Sequence, residues 1–258
     1  MKNIIKTRTL FGAGLTALAF SSIFTSTAFA QTCATVPTCD ELGYDLSETD
    51  CSGKKALKCP FDNTKFYCPD GRGSDTLSVG DILFSDMTTG PDPVSGKTPI
   101  GIVFDVTKRL AIALKTEQKL WMTDMFKDVD TLTNTNNSSV AIADWQGKSN
   151  TAKVVAYCNA NGYSCPAFDY VSSYKTAGTK AGDWYLPAVG ELNVISGYRG
   201  MLNIALPKVG GAMFPSSYHW SSSEESYSNA WQQRMSDSQI SNGRKDQSSS
   251  YVRPVLAF

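Results

Sequence analysis

The chain ends on His219-Trp220-Ser221-Ser222-Ser223-Glu224, a polar middle from Glu225 to Ser250, and Tyr251-Val252-Arg253-Pro254-Val255-Leu256-Ala257-Phe258. The two outer blocks combine aromatic and β-branched residues, which favour buried strands. The middle is rich in Ser, Asn, Gln, Asp and Arg, yet apolar anchors recur in it at Trp231 and Ile240. This pattern predicts a fixed frame of strands that presents a polar surface.

The start of the chain has the features of an export signal. Basic residues precede an apolar run from Leu10 to Phe24, and Ala28-Phe29-Ala30 follows with the small-x-small pattern of a cleavage site. The alternative, an uncleaved membrane anchor, is disfavoured because polar residues interrupt the run and it is shorter than a bilayer requires. We therefore predict a signal peptide over residues 1–30.

Removal of that peptide leaves 21 basic against 24 acidic residues, so the mature chain is mildly acidic. Such a balance excludes a general attraction to nucleic acid or to anionic membranes. We expect a secreted, periplasmic or bacterial cell-surface protein with no transmembrane segment after cleavage, and with an extracellular protein or a glycan as its partner.

Cysteines divide the mature chain into two predicted parts. Residues 31–75 hold five of them among prolines, glycines and charged residues, which predicts a small module that depends on disulfides. Zinc is the alternative, but this stretch has no histidine and no Cys-x-x-Cys pair. The disulfide candidates are Cys33, Cys39, Cys51, Cys59 and Cys68, an odd number, and separately Cys158 and Cys165, which can close a small loop.

Residues 76–258 are predicted to form one domain. Asp81-Ile82-Leu83-Phe84 is a strand candidate, and the apolar runs Ile100–Phe104 and Leu110–Leu114 predict a buried β-hairpin. The polar segment that follows, from Asp128 to Ser139, is predicted to be a solvated loop.

Two helices are predicted after this loop. The first is capped by Asn150 or Thr151 and stops near Asn161-Gly162, and the second opens with Pro187 in its first turn. Strands, two helices and further strands give an α+β domain with antiparallel sheet.

Several blocks of the chain together carry a family resemblance. The blocks are Asp144-Trp145-Gln146-Gly147-Lys148-Ser149-Asn150-Thr151, Asp183-Trp184-Tyr185-Leu186-Pro187 with Glu191-Leu192, Tyr218–Glu224, Ala230-Trp231 and Val252-Arg253-Pro254-Val255. Over roughly residues 76–258 they resemble the Lcl C-terminal domain family. The resemblance implies a C-type-lectin-like fold, in which two helices flank a twisted antiparallel sheet, and a bacterial secreted or surface binding module rather than a defined reaction.

The polar middle also resembles the variable segments of proteins diversified by retroelements, in which adenine-directed mutagenesis yields Ser, Tyr, Asp, Asn, Arg and Gly. These residues suit recognition because Tyr offers rigid contact area while Ser and Asn offer adaptable hydrogen bonds. A solvated hairpin of ordinary loop composition is the alternative. The candidate contact residues are Tyr227, Ser228, Gln232, Arg234, Ser236, Ser238, Ser241, Asn242, Arg244, Asp246 and Ser248.

Other chemistries have weaker sequence support. The Glu-Pro-Asn and Gln-Pro-Asp triplets of calcium-dependent lectins are absent, and four basic against four acidic residues from His219 to Phe258 do not favour a glycosaminoglycan. His219 adjoins Trp220 in a strand-like block and is predicted to be structural. We predict no catalytic residue, no metal and no cofactor.

Three functions are compatible with these features of the sequence. The preferred one is a secreted or cell-surface binding or adhesion module. The first alternative is a structural or interaction protein of the bacterial envelope without a dedicated ligand site. The second is an oxidoreductase related to formylglycine-generating enzymes that uses Cys158 and Cys165.

Overall fold

The computed structural model describes residues 77–124, 127–247 and 250–258, together with the short antiparallel strands β1 (Leu57–Lys58) and β2 (Phe66–Tyr67). The predicted signal peptide, the five cysteines of the predicted module and Ser248 lie outside the described residues. The predicted division at residue 76 stays a prediction.

The predicted α+β class with antiparallel sheet is confirmed, and beside the β1–β2 pair the described residues form two larger, mainly antiparallel sheets. A six-stranded sheet has the order β4-β3-β5-β6-β13-β8 and a five-stranded sheet the order β11-β10-β9-β12-β7. The strands are β3 (Ile82–Phe84), β4 (Thr89–Gly90), β5 (Pro99–Asp105), β6 (Leu110–Ala113), β7 (Glu117–Gln118), β8 (Trp184–Tyr185), β9 (Tyr218–Glu224), β10 (Asn229–Arg234), β11 (Ile240–Arg244), β12 (Tyr251–Val252) and β13 (Val255–Ala257).

The predicted hairpin is confirmed in β5 and β6. The two strands pair antiparallel with Gly101 opposite Ala113, and their central residues are buried on both faces. One face packs on a core beneath the long helix and the other on a second cluster around Trp184. This burial on two sides explains why both strands are continuous apolar runs instead of alternating ones.

Among the residues that the structure describes, four α-helices accompany the sheets. They are α1 (Ser138–Ala141), α2 (Gly147–Asn161), α3 (Pro166–Ser173) and α4 (Val189–Ala205), and a 3₁₀ turn (Leu206–Val209) follows α4. The sequence predicted α2 and α4 but neither α1 nor α3. The loop predicted from Asp128 to Ser139 is confirmed up to residue 137, where α1 is about to begin.

The predicted start of α2 is wrong by a turn. The helix begins at Gly147, where an added Cβ would lie 2.2 Å from Glu191 Oε2 and 2.7 Å from the Ala188 nitrogen. Asn150 and Thr151, predicted as caps, are instead buried inside the helix because its first turn abuts the start of α4. The predicted stop is confirmed, since Gly162 caps the helix in the left-handed conformation at φ 70°.

The start of α4 also differs from the prediction. Pro187 lies before the helix, Ala188 is the N-cap, and Glu191 Oε2 accepts a hydrogen bond of 2.7 Å from the Ala188 nitrogen. Tyr185 donates its hydroxyl proton to the other Glu191 oxygen. Burial raises the pKa of Glu191 to about 7, while these two hydrogen bonds oppose the shift.

The last eight residues join the two sheets. β12 belongs to the five-stranded sheet and β13 to the six-stranded sheet, with Arg253 and Pro254 between them. Arg253 is buried and donates to the carbonyls of Ala113 and Ala212 at 2.8 and 2.7 Å. The C-terminal block therefore forms part of both sheets, which supports its predicted role as frame.

Candidate functional site

The predicted polar surface is built on strands β10 and β11. They pair antiparallel from Asn229 opposite Arg244 to Gln233 opposite Ile240, and β11 is the edge strand of its sheet. Residues directly opposite each other in such a pair share a sheet face. Asn242 and Arg244 therefore lie on the face of Trp231, whereas Ser241 lies opposite Gln232 on the other face. The structure thus divides the predicted contact residues between two faces.

Exposure sorts the predicted contact residues into three groups. Tyr227, the one aromatic residue among them, has 55% of its surface exposed. The exposed members are Tyr227, Ser236, Ser238, Asn242 and Arg244, and the half-buried members are Ser228, Arg234, Ser241 and Asp246.

Gln232 is the exception, because only 9% of it is exposed. Its Nε2 donates to the Asn242 carbonyl at 3.1 Å, and its Oε1 accepts from the Ser250 hydroxyl. A Cβ on Gly243 would lie 2.7 Å from Gln232 Nε2 and 2.9 Å from Trp220, so the amide is closely packed. Gln232 supports the polar surface from beneath and does not offer its side chain to solvent.

The two arginines of the surface are engaged in local ion pairs. Arg234 binds Asp237 through Nε and Nη2 at 2.9 and 2.6 Å, and Arg244 binds Asp246 at 3.0 and 2.8 Å. These contacts lower the pKa of Asp237 and of Asp246. The surface therefore presents paired charges, which suits a polar ligand of little net charge.

A buried ion pair fixes the base of this surface. Lys245 is 1% exposed and pairs with the buried carboxylate of Glu224. Its ammonium also donates to the carbonyls of Lys127 and Tyr227 at 2.8 and 3.3 Å. Burial raises the pKa of Glu224 and lowers that of Lys245, and the ion pair opposes both shifts. The charge count from sequence included both groups, yet neither reaches the surface.

His219 has the structural position that was predicted. Its ring stacks on Tyr251 at 5.4 Å and lies against Phe214 at 5.3 Å. Nδ1 lies 3.3 Å from the Ser217 carbonyl, and burial lowers the pKa of His219 to about 3. A neutral imidazole held between two aromatic rings is suited to packing.

The predicted disulfide between Cys158 and Cys165 is present. It joins the last turns of α2 to the start of α3, and both cysteines are buried. Bonded and buried sulfurs provide no accessible thiolate, which disfavours the oxidoreductase alternative. Within the described ranges, no group of three or more His, Cys, Asp or Glu side chains is arranged to hold a metal ion.

A cavity of about 230 Å³ lies behind the Trp231 face. Its walls come from α1 and the loops on either side of it, from the first turns of α2, from the end of β9 and from β10. They include Asp144, Asn150, Ser223 and Trp231. Sequence reasoning missed this cavity. Asp144 was used only as part of a family-like block, Asn150 only in that block and as a helix cap, and Trp231 was assigned to the frame alone.

Asp144 organises the inner wall of this cavity. Its Oδ2 accepts hydrogen bonds from the Asn150 amide at 2.8 Å and the Ser223 hydroxyl at 2.7 Å, while Oδ1 accepts from the Gln146 nitrogen at 2.9 Å. Ser223 in turn accepts from the Val189 nitrogen at 3.0 Å. The loop, α2, β9 and α4 therefore meet at one carboxylate.

Among the comparisons with known proteins, the comparison with solved structures gives a match. The structure is similar to that of a fimbrial protein from Bacteroides ovatus, with a TM-score of 0.57 and 20% sequence identity over 75% of this chain and 52% of that one. The chain thus spans about half the length of that protein. No family model and no curated protein matches the chain, so the Lcl-like blocks receive no support from those comparisons. At this identity, the similarity shows a shared fold.

Among the described residues, no helix combines the length and apolar character needed to cross a bilayer.

Proposed function

We propose that this chain is a non-catalytic ligand-binding protein of the adhesion type, secreted or held at the bacterial surface. The observation that carries the proposal is the contrast at β10 and β11, where exposed polar side chains stand on a base fixed by the Glu224–Lys245 pair and by Gln232. Rigid support beneath adaptable polar groups favours binding, because less conformational entropy is lost when a ligand docks.

Two further observations support an extracellular role. The Cys158–Cys165 bond suits an oxidising compartment, and the solved structure that this fold resembles is named as a fimbrial protein. The residues that we propose for ligand contact are those with accessible side chains. They are Tyr227, Ser228, Arg234, Ser236, Ser238, Ser241, Asn242, Arg244 and Asp246.

Three further properties of the chain are proposed from its sequence. We infer a C-type-lectin-like domain over residues 76–258, a disulfide-rich module over residues 31–75, and diversification of the polar segment by a retroelement. A neighbouring reverse transcriptase gene and a near-copy of the DNA for residues 218–258 that differs mainly at adenines would support diversification. We then expect the codons of the exposed contact residues to vary between related genes, while the codons of Glu224 and Lys245 stay the same.

Binding to immobilised mucin, fibronectin and a glycan array tests the function. We expect the wild-type chain to bind at least one of these surfaces and the triple variant Y227A/N242A/R244A to lose most of that binding. A matched control carries M201A and I204A, two exposed apolar residues of α4. Equal binding by the triple variant and the control would reject the polar surface as the contact site.

A structural protein of the envelope is the second candidate. The ion pairs Arg234–Asp237 and Arg244–Asp246 favour it, because charges satisfied within the chain need no ligand. This candidate predicts that the purified chain binds none of the surfaces, while deletion of its gene weakens the attachment or assembly of envelope structures.

A further inference from the structure

The cavity behind the Trp231 face has the chemistry of a binding site. Empty cavities in proteins are usually apolar, whereas the residues that line this one include Asp144, Gln146, Asn150 and Lys153. Ligand pockets commonly place a few convergent polar groups beside apolar surface. A void left by imperfect packing would not need polar residues in its walls.

The size of the cavity restricts its occupant. Its volume of about 230 Å³ is below the range of roughly 300–1,000 Å³ that holds drug-sized ligands. One ring-sized group fits this space, whereas an extended chain does not.

The two kinds of wall favour a sugar ring. Val140, Ala141 and Trp231 supply apolar surface, and the side chains of Asp144, Gln146 and Asn150 combine hydrogen-bond donors with acceptors. A pyranose matches this combination because its C–H face is apolar while its hydroxyl groups both donate and accept.

Charge favours a neutral sugar over an acidic one. The Glu224 carboxylate at the cavity wall is balanced by Lys245, and the remaining ionic wall groups are one carboxylate, Asp144, and one ammonium, Lys153. There is no excess of positive charge among these groups to select a uronic or sialic acid.

Trp231 links the cavity to one face of the strand pair β10 and β11. Trp231, which lines the cavity, lies directly opposite Asn242 of β11, so the two side chains share a sheet face. Asn242 is exposed, and Arg244 follows on the same face. We propose that the cavity binds one neutral sugar residue of a larger glycan, whose neighbouring residues lie over Asn242 and Arg244. This inference rests on the proposed binding function and names the ligand class.

Monosaccharide titration of the whole chain, followed by amide chemical shifts, tests the cavity directly. With galactose, mannose and N-acetylglucosamine raised to about 20 mM, we expect at least one sugar to shift the amides of Asp144, Asn150 and Ser223 with a Kd on the order of 1 mM. No shift with any of the three, or shifts only with glucuronic or sialic acid, would overturn the proposal.

A matched pair of variants separates blocking from unfolding. Ala143 lines the cavity and is exposed, so A143W fills the space without removing core, while A152W adds the same side chain at an exposed position of α2 outside the cavity lining. We expect A143W to weaken sugar binding at least about tenfold and A152W to leave it unchanged. Thermal unfolding of both variants checks that they are folded.

The outcomes distinguish this inference from the proposed function. If the chain adheres to a surface and A143W adheres equally, the binding function stands and the cavity proposal falls. If monosaccharides shift the cavity amides but the chain adheres to no surface, the cavity proposal stands and the adhesion function falls.

Discussion

The six-stranded and the five-stranded sheets are built from opposite kinds of strand. The central strands of the first, β5 and β6, are buried and almost wholly apolar. In the second, β9 carries His219, three serines and Glu224, all buried. The hydrophobic effect that stabilises the first sheet is non-directional. Each buried polar group of the second sheet, by contrast, needs a correctly placed hydrogen-bond or ion-pair partner.

The polar sheet meets that requirement with named bonds. The indoles of Trp121, Trp220 and Trp231 donate to the carbonyls of Ser221, Lys119 and Thr135 at 2.9–3.1 Å. These bonds connect β9 and β10 to the loops on either side. One half of the domain therefore gains stability from buried apolar area, and the other gains a fixed shape from paired polar groups.

The largest expected effect comes from breaking the buried ion pair. K245M leaves the Glu224 carboxylate buried without its cation, and we expect a loss of about 3–5 kcal/mol in the free energy of unfolding, measured with urea. The double variant E224Q/K245M should recover part of this loss because no uncompensated charge remains. A K245M chain as stable as the wild type would show that pairing does not hold the polar half together.

A cavity in the apolar half should cost less. Ile102 is fully buried in β5, and we expect I102A to lower the free energy of unfolding by about 2–4 kcal/mol while I102V lowers it by about 1 kcal/mol. A loss of stability that grows with the number of carbons removed is expected where buried apolar area stabilises the fold. A cost that does not rise with the number of carbons removed would contradict that account.

Acid should destabilise the polar half through His219. Burial lowers its pKa from 6.5 to about 3, so the native state holds it neutral while the unfolded chain takes up a proton. This contribution to stability is present above pH 6.5 and falls as the pH is lowered, by about 3 kcal/mol at about pH 4.5, because each pH unit below the unfolded pKa corresponds to about 1.4 kcal/mol. Urea unfolding between about pH 7 and 4.5 measures the slope, and H219N should flatten it. An equal slope in H219N would assign the acid sensitivity to other groups.

The smallest effect is expected on the exposed surface. R244A removes an accessible ion pair with Asp246, so we expect a change within about 0.5 kcal/mol in the free energy of unfolding. R234A, which removes the similar pair with Asp237, is the matched variant. A large loss from either one would place that arginine in the frame and remove it from the proposed contact surface.

Local patterns were sufficient to predict part of the fold. The apolar runs at β5 and β6 gave the hairpin, and Asn161-Gly162 gave the end of α2, because both signals depend on neighbours in sequence. The beginning of α2 was misplaced because Gly147 is selected by contact with Glu191 and Ala188, which lie about forty residues away. Helix α3 was missed although Pro166 at its first position is a local start signal, and its Phe168 packs against Trp121, which lies far away in the chain.

The candidate site was less predictable than the fold. Gln232 and Asn242 both occur in a polar stretch, and only the register of β10 and β11 makes one a buried support and the other an exposed group. Lys245 resembles a surface lysine in sequence, yet it is buried against Glu224, which precedes it by 21 residues. The cavity draws its walls from segments that are distant in the chain, so no single stretch indicated it.

Local periodicity, turn chemistry and close spacing in the chain were enough to predict the α+β class, the buried hairpin and the Cys158–Cys165 bond. They could not predict which polar residues of the last forty support the surface and which reach solvent. Nor could they predict the cavity at Asp144, where segments distant in the chain converge. Long-range packing settles both, because the burial of a polar side chain depends on the partner it meets across the fold.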